Sequence, residues 1–280
     1  MHELQRMTRE VRGEQPPQQP RSNGNVAKGL GAATIGLGIF FAKFKTLFFL
    51  LLNFKWIAIG AKFLLSGGSF LASVWFYALF WGWKFALLFV LLILVHELGH
   101  AAAARMYGMP VSLPFFIPGF GAFVTTTGPS TPVQSAYVSL AGPLVGGLAS
   151  FACYTYGVVT GDHLWLAAAY TGFLLNLFNL FPVGFLDGGK IAAAISPRIY
   201  IVGLVAFVAA VLALHWFSPV ILLVVMFSIP QAIAAFQGRF DPAYAALTFA
   251  ERSGVAVAYF GLAALLGIAM LTSYQPVPHA

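Results

Sequence analysis

Charge is scarce in this chain, and that scarcity sets the solvent. Of 280 residues only 8% are Asp, Glu, Lys or Arg, against 60% that are hydrophobic, whereas a soluble domain carries roughly 25% charged residues. A soluble globular fold is thereby excluded, because too few polar groups exist to face water. Cysteine is nearly absent: Cys153 stands alone, cannot form an intrachain disulfide, and reads as a small buried hydrophobe in the apolar stretch Ser150 to Tyr156. A dense basic stripe is also missing despite the formal net charge of +7. The cations stand singly between apolar runs, which suits membrane-flank anchoring and argues against a nucleic-acid partner.

What the chain has in abundance is apolar runs long enough to cross a bilayer, which takes about 20 residues per helix. Residues 1–28, rich in Gln, Pro, Arg and Glu, read as a disordered tail without the apolar core of a secretory signal. Arg6, Arg9, Arg12, Arg21 and Lys28 give that tail a cationic excess that predicts a cytoplasmic N-terminus. Residues 29–83 form an apolar membrane region punctuated by Lys43, Lys45, Lys55 and Lys62, in which an interfacial helix competes with true spans. Residues 84–196 form a central membrane core, residues 197–273 additional C-terminal transmembrane helices, and residues 274–280 a tail. The expected fold class is an all-α polytopic membrane protein with six to eight transmembrane or re-entrant helices. A short membrane-associated strand or loop segment is expected near residues 115–127, where Pro, Gly, Phe and Thr break any helical period and charge is absent. Such backbone at depth must be buried in protein or line a wet cavity.

Within the apolar helix from Phe85 to Tyr107 lies His96-Glu97-Leu98-Gly99-His100. Two histidines four apart share one helical face and suit zinc, and a glutamate one residue round from the first reaches a metal-held water as general base. At this chain's composition the pattern has a random expectation of roughly 0.002. The bland alternative, a self-satisfied polar cluster, is weakened by the cost of ionisable groups inside a membrane helix, several kcal/mol unless partnered.

A catalytic zinc takes three protein ligands and keeps a position for water. Between Glu14 and Asp241 the only carboxylates are Glu97, Asp162 and Asp187. Asp162, in Thr160-Gly161-Asp162-His163, reads as a turn residue. Asp187 follows Pro182 and Gly184 in Asn179-Leu180-Phe181-Pro182-Val183-Gly184-Phe185-Leu186-Asp187, where it is either a third ligand or the N-cap of the next helix. Asn176 and Asn179 share that interior, and Asn176 reads as satisfying a neighbouring helix backbone. His215, near the end of an apolar run, is expected to find water or a carbonyl.

Taken together, His96 to His100, Ser139-Leu140-Ala141-Gly142-Pro143-Leu144 and Asn179 to Gly189 closely resemble the site-2 protease family of intramembrane zinc metalloproteases, in order and spacing, over roughly residues 80–196. The resemblance implies one zinc per chain held by His96, His100 and Asp187, water activation by Glu97, and assistance at the substrate carbonyl by Asn179. It further implies that Gly119 to Val124 is the family's membrane-associated strand, with Gly119, Gly121 and Phe123 meeting an extended substrate by strand addition. Two positions depart from the family pattern: Gly184 stands where a second proline is common, and Gly146 where an asparagine often follows the Gly-Pro pair. The expected function is intramembrane proteolysis, with a membrane-protein substrate and the lipid bilayer as partners. The rivals are a catalytically idle zinc-binding scaffold and a metal transporter, the latter disfavoured by the lack of carboxylates along any path.

Overall fold

The computed structural model describes residues 2–13, 54–128, 130–184, 186–196, 198–213, 215, 218–239 and 241–274. Most of the expected tail and residues 29–53 of the first apolar region lie outside this set. The described part of the tail departs from the disorder expected of it: His2–Val11 form a helix, α1. Leu4, Met7 and Val11 recur on one face of it, all exposed, with arginines between them, so an amphipathic period outweighs the polar composition.

The remaining described residues are mostly helical. In chain order they form α2 (Phe54–Trp81), α3 (Trp83–Met106), β1 (Phe115–Ile117), β2 (Gly121–Phe123), α4 (Pro132–Thr160), α5 (His163–Asn179), α6 (Asp187–Ile195), α7 (Ile199–Ala213), α8 (Pro219–Phe236), α9 (Pro242–Ala245) and α10 (Phe249–Ser273). Local chemistry fixes their ends. Thr131 and Gln134 close a capping box on α4, with Pro132 in the first turn, and Gly161 ends it in the left-handed conformation. Asp162 then caps α5 through a 2.9 Å bond from the Leu164 amide, and Thr248 with Glu251 closes a second capping box on α10.

Four helices are long and apolar enough to cross a membrane: residues 60–81 of α2, then α3, α4 and α10. The expected count of six to eight is therefore only partly met among the described residues. The reason is length: α5 has 17 residues and α7 has 15, or about 26 and 22 Å at 1.5 Å per residue, against a bilayer core of about 30 Å. The helix α5 stops inside the protein because Pro182 removes an amide, and the chain runs through the buried residues Leu180, Val183 and Leu186 before α6 begins. This is irregular backbone enclosed by protein rather than lipid.

The centre of the bundle is α3, α4, α5 and α6, with α10 laid across α4 and α5. Phe173, Leu180, Ile191, Val255 and Tyr259 form its apolar cluster, and the Tyr259 hydroxyl donates to the Leu180 carbonyl at 2.5 Å. A separate cluster joins Val183 and Leu186 to Phe207, Val211 and Val224 of α7 and α8.

The segment between α3 and α4 is an antiparallel hairpin, with Phe115 opposite Phe123, Phe116 opposite Ala122, and Ile117 opposite Gly121. Its far edge is tied to α2: the Phe116 amide donates to Ser69 Oγ at 3.1 Å, and Ser66 Oγ donates to the Pro114 carbonyl at 2.6 Å.

Candidate metal centre

His96 and His100 lie one turn apart on α3, and both are buried, as is Glu97 between them. Asp187 opens α6. It does not cap that helix with its side chain, since Leu186 occupies the N-cap position and no side-chain cap bond is made; its carboxylate turns into the bundle instead. His96 Nε2 lies 3.1 Å from His100 Nε2, and Asp187 Oδ2 lies 3.2 Å from the first and 3.1 Å from the second.

The protons on this cluster are assigned by its outer partners. His100 Nδ1 is 2.8 Å from the Val138 carbonyl, a group that only accepts, so the proton sits on Nδ1. His96 Nδ1 is 2.7 Å from Asn176 Oδ1. Asn176 spends its amide nitrogen on the Gly172 carbonyl at 2.7 Å, which fixes its oxygen toward His96 as acceptor. In the neutral tautomer each imidazole then aims its Nε2 lone pair at the other and at a carboxylate oxygen. Three such atoms at these distances repel unless a cation, whether a proton or a metal ion, lies between.

The triangle also has the right size. Ligand bonds of about 2.0–2.1 Å in a tetrahedral set leave ligand atoms about 3.3 Å apart, close to the 3.1–3.2 Å sides observed. The His96, His100 and Asp187 cluster can thus hold a metal ion, and the donor set of two imidazoles and one carboxylate suits zinc.

Small residues on α3 and α4 make this geometry possible. A Cβ at Gly99 would meet the Ala141 carbonyl oxygen at 2.6 Å, one at Gly142 would land on the His100 ring, and one at Gly146 on the Asn176 amide. Gly146, one of the departures from the family pattern, is thereby explained: the space is filled by an asparagine from the neighbouring helix. Pro143 lacks the amide that would pair with the Ser139 carbonyl, loosening α4 beside the Val138 carbonyl that His100 uses.

Glu97 is buried, and its carboxylate meets the Val124 backbone just past β2. Asn179, in the last turn of α5, is half-buried and makes no side-chain hydrogen bond among the described residues. Gly119 and Gly121 both have positive φ, 83° and 105°, and Phe123 is half-exposed, with its ring centroid 5.7 Å from that of Phe115. Because the Phe116 amide faces away from β2, the Phe116 and Ala122 pair is a non-hydrogen-bonded one. Ala122 therefore turns its amide and carbonyl to the outer edge of β2, while Gly121 faces inward to Ile117.

Asp162 and His163 lie at the far end of α4 and α5, away from this cluster. His215 sits in an exposed turn with φ 53°. Asn176 is the residue that sequence reasoning undervalued. The sequence shows only a polar side chain within an apolar helix, which does not distinguish a backbone partner from a histidine, and Asn176 serves both.

Comparison with known proteins agrees with this geometry. Residues 84–162 match the sequence profile of Peptidase family M50, a stretch that contains the histidine pair and Gly142-Pro143 and ends before Asp187. The chain is 32% identical over 111 residues to Stage IV sporulation protein FB of Bacillus subtilis, covering 39% of this chain and 38% of that protein. It is 30% identical over 128 residues to Zinc metalloprotease MJ0392 of Methanocaldococcus jannaschii, covering 44% and 37%. A third relative, Probable zinc metalloprotease EGY1, chloroplastic, of Oryza sativa subsp. japonica, is 26% identical over 147 residues, covering 35% and 25%. The chain thus spans less than two fifths of the length of each of these relatives. Over residues 84–162 the chain is thus similar to Peptidase family M50, in agreement with the site-2 protease family that its motifs resemble.

Proposed function

We propose that this chain is an intramembrane zinc metalloprotease that hydrolyses peptide bonds in or near the transmembrane segments of membrane proteins. The observation that carries the reading is the convergence of three lone-pair donors, His96, His100 and Asp187, with both histidine Nδ1 protons committed elsewhere and Glu97 buried one residue away. A zinc held there would supply Lewis acidity to polarise a carbonyl and a water. Glu97 would accept a proton from the attacking water and return it to the leaving amine. Val138 and Asn176 keep the two imidazoles in the tautomer and orientation the site needs. Asn179, unengaged in the last turn of α5, donates to the carbonyl oxygen as charge develops on it.

The substrate lies extended along the outer edge of β2. An unpaired edge captures backbone by hydrogen bonding, and Ala122 offers an outward amide and carbonyl while the next residues lead to Glu97. Gly119 and Gly121 shape the turn that presents this edge, and Phe123 gives it an apolar surface. A proline at Ala122 removes the outward donor, whereas one at Gly121, where φ is 105°, breaks the hairpin itself. Residues 84–196 act as the proteolytic core and residues 197–273 as accessory membrane helices, so that α5, α7 and α8, though short, bring the count of inserted helices to the expected range.

Orientation follows from charge. The C-terminal ends of α3, α6 and α8 and the N-terminal ends of α7 and α10 share one end of the bundle, which carries Arg105, Arg198, Arg239 and Arg252. The opposite end offers Lys84 and Asp162. The positive-inside rule makes the arginine end cytoplasmic, on the same side as expected for the N-terminus.

The test is Glu97→Gln in purified protein beside wild type, with metal content and cleavage of a membrane-anchored peptide measured on the same samples. The expected result is equal zinc and lost cleavage. Equal zinc with wild type no more active than the variant would instead mark an idle metal-binding scaffold.

A further inference from the structure

The two helices that bring the metal cluster together are held in different ways. His96 and His100 stand on α3, which has 24 residues, whereas Asp187 stands at the head of α6, which has 9. A helix that short is only about 13 Å long, and its position is set by what grips its two ends. At the first end, a Cβ at Gly188 would stand 2.0 Å from the Leu180 carbonyl oxygen, and one at Gly189 2.6 Å from that of Gly184, so α6 lies flush against the 180–184 backbone. At the other end Ser196 is extended, and Pro197 has no amide to offer the Ala193 carbonyl. The carbonyls of that last turn need donors from elsewhere.

Those donors come from α10. Arg252 Nη1 donates to the Ile195 carbonyl at 2.8 Å and to the Ala194 carbonyl at 3.4 Å, while Nη2 donates to the Tyr244 carbonyl and Nε to the Leu247 carbonyl at 3.3 Å. The neighbouring Glu251 carboxylate is engaged by the Thr248 amide and hydroxyl instead. A fixed cation at this end of α6 also meets the negative end of the helix dipole. Seven residues on, and so on the same face of α10, Tyr259 donates its hydroxyl to the Leu180 carbonyl at 2.5 Å, where the loop toward Asp187 begins. Between them Val255 lies at zero exposure, in one apolar cluster with Ile191 and Ala194 of α6. One face of α10 therefore grips the segment that carries Asp187 at its start and at its end.

We propose that Arg252 and Tyr259 are positioning residues for the metal centre: together they set the depth at which Asp187 meets His96 and His100, and so the affinity of the site for its ion. Asp187 Oδ2 stands 3.2 and 3.1 Å from the two Nε2 atoms. The helix is continuous from Ile195 back to Asp187, so a slip at the gripped end is carried to the carboxylate. The inference rests on the reading of His96, His100 and Asp187 as the ligands, and adds to it a dependence on a helix that supplies no ligand. Arginine suits the task because its planar fork reaches carbonyls of three segments at once, whereas lysine offers a single point of charge.

The experiment uses the full chain in detergent. It reads zinc affinity by chelator competition, the absorption spectrum of the cobalt(II)-substituted protein, which reports ligand geometry, and the melting temperature of the metal-free protein. Arg252→Gln should lower zinc affinity about threefold to tenfold and Tyr259→Phe about threefold, at or below the low end of what outer partners of a metal site give. Both should shift the cobalt spectrum. Arg252→Lys keeps the charge without the fork and should recover part of the affinity. The control is Leu266→Ala, which empties the packing of α10 against Gly147: it should lower the melting temperature and leave affinity and spectrum as in wild type. The same pattern in Arg252→Gln and Tyr259→Phe would overturn the proposal and leave the two residues as bracing only. Should Arg252→Gln fail to fold, Tyr259→Phe, which removes a single oxygen atom, decides. A wild type that takes up neither ion, or an Asp187→Ala variant that binds them as wild type does, would instead overturn the ligand assignment itself, and the proposal with it.

Discussion

The helices α4 and α10 are both candidate spans, yet they do different work. Their most apolar 18-residue windows have mean hydropathies of 1.5 and 2.2, and 50% of the first window is buried against 17% of the second. The more hydrophobic helix is the less buried one. In lipid nothing is gained by moving Leu from acyl chains to another Leu, so packing depth follows close approach of backbones. The helix α4 supplies that approach with Gly142, Gly146 and Gly147, each with a neighbouring side chain where a Cβ would stand, while Gly261 and Gly267 of α10 have nothing within 4 Å. Hydropathy therefore reports which residues meet lipid, and small residues report where helices close around chemistry.

The sharpest way to break this contrast is to neutralise one glutamate on α3, the helix that α4 packs against, and one on α10. Glu97→Gln in α3 should lower cleavage of a membrane-anchored reporter by about a hundredfold to ten-thousandfold with zinc retained. Glu251→Gln in α10 alters only a capping box, should change stability by about 1 kcal/mol or less, and should leave cleavage near wild type. Comparable loss in both would mean that the buried core is not the catalytic region. A second pair sets Asp187→Ala against Asp162→Ala. Metal analysis should find the first variant stripped, because two imidazoles are left without their carboxylate. The second should be loaded like wild type, because Asp162 serves only the α5 cap.

The metal cluster was largely legible in the sequence and the membrane architecture less so. His96, Glu97 and His100 are close along one helix, so a local period suffices to assemble them. Asp187 is distant: the scarcity of carboxylates narrows the choice to it and Asp162 but leaves ligand and N-cap both open, and it is the resemblance to the site-2 protease family that implies the ligand. The outer partners lacked any such signal: Val138 contributes a carbonyl, which every residue has, and Asn176 could equally have bonded a backbone. The number of spans was obscured because α5 and α6 end and begin at the depth of the site, a tertiary fact that hydropathy windows smooth over. Strand register in the hairpin was hidden for a related reason, since no apolar alternation marks which of Gly121 or Ala122 faces outward.

Asn176 supports a smaller effect. Asn176→Leu keeps the volume and removes both the acceptor for His96 Nδ1 and the donor to Gly172. Loss of such an outer partner lowers metal affinity by about 10–100-fold, which chelator competition reads directly. Metal affinity equal to wild type would show that α3 alone orients His96.

The smallest effect is the most diagnostic of why the two regions differ. Gly146→Ala drives a methyl into the Asn176 amide, whereas Gly267→Ala adds one in open space toward lipid. Overpacking costs about 1–3 kcal/mol, while a lipid-facing change stays within about 0.5 kcal/mol, so thermal unfolding in detergent should separate the two. A bare difference would not identify the clash, because alanine alters helix propensity at both sites. Repeating Gly146→Ala in an Asn176→Ala background isolates it: the methyl then occupies vacated space, and the penalty should shrink as contacting residues couple. An unchanged penalty would locate the strain elsewhere on α4 and remove Asn176 as the reason this chain carries glycine at position 146.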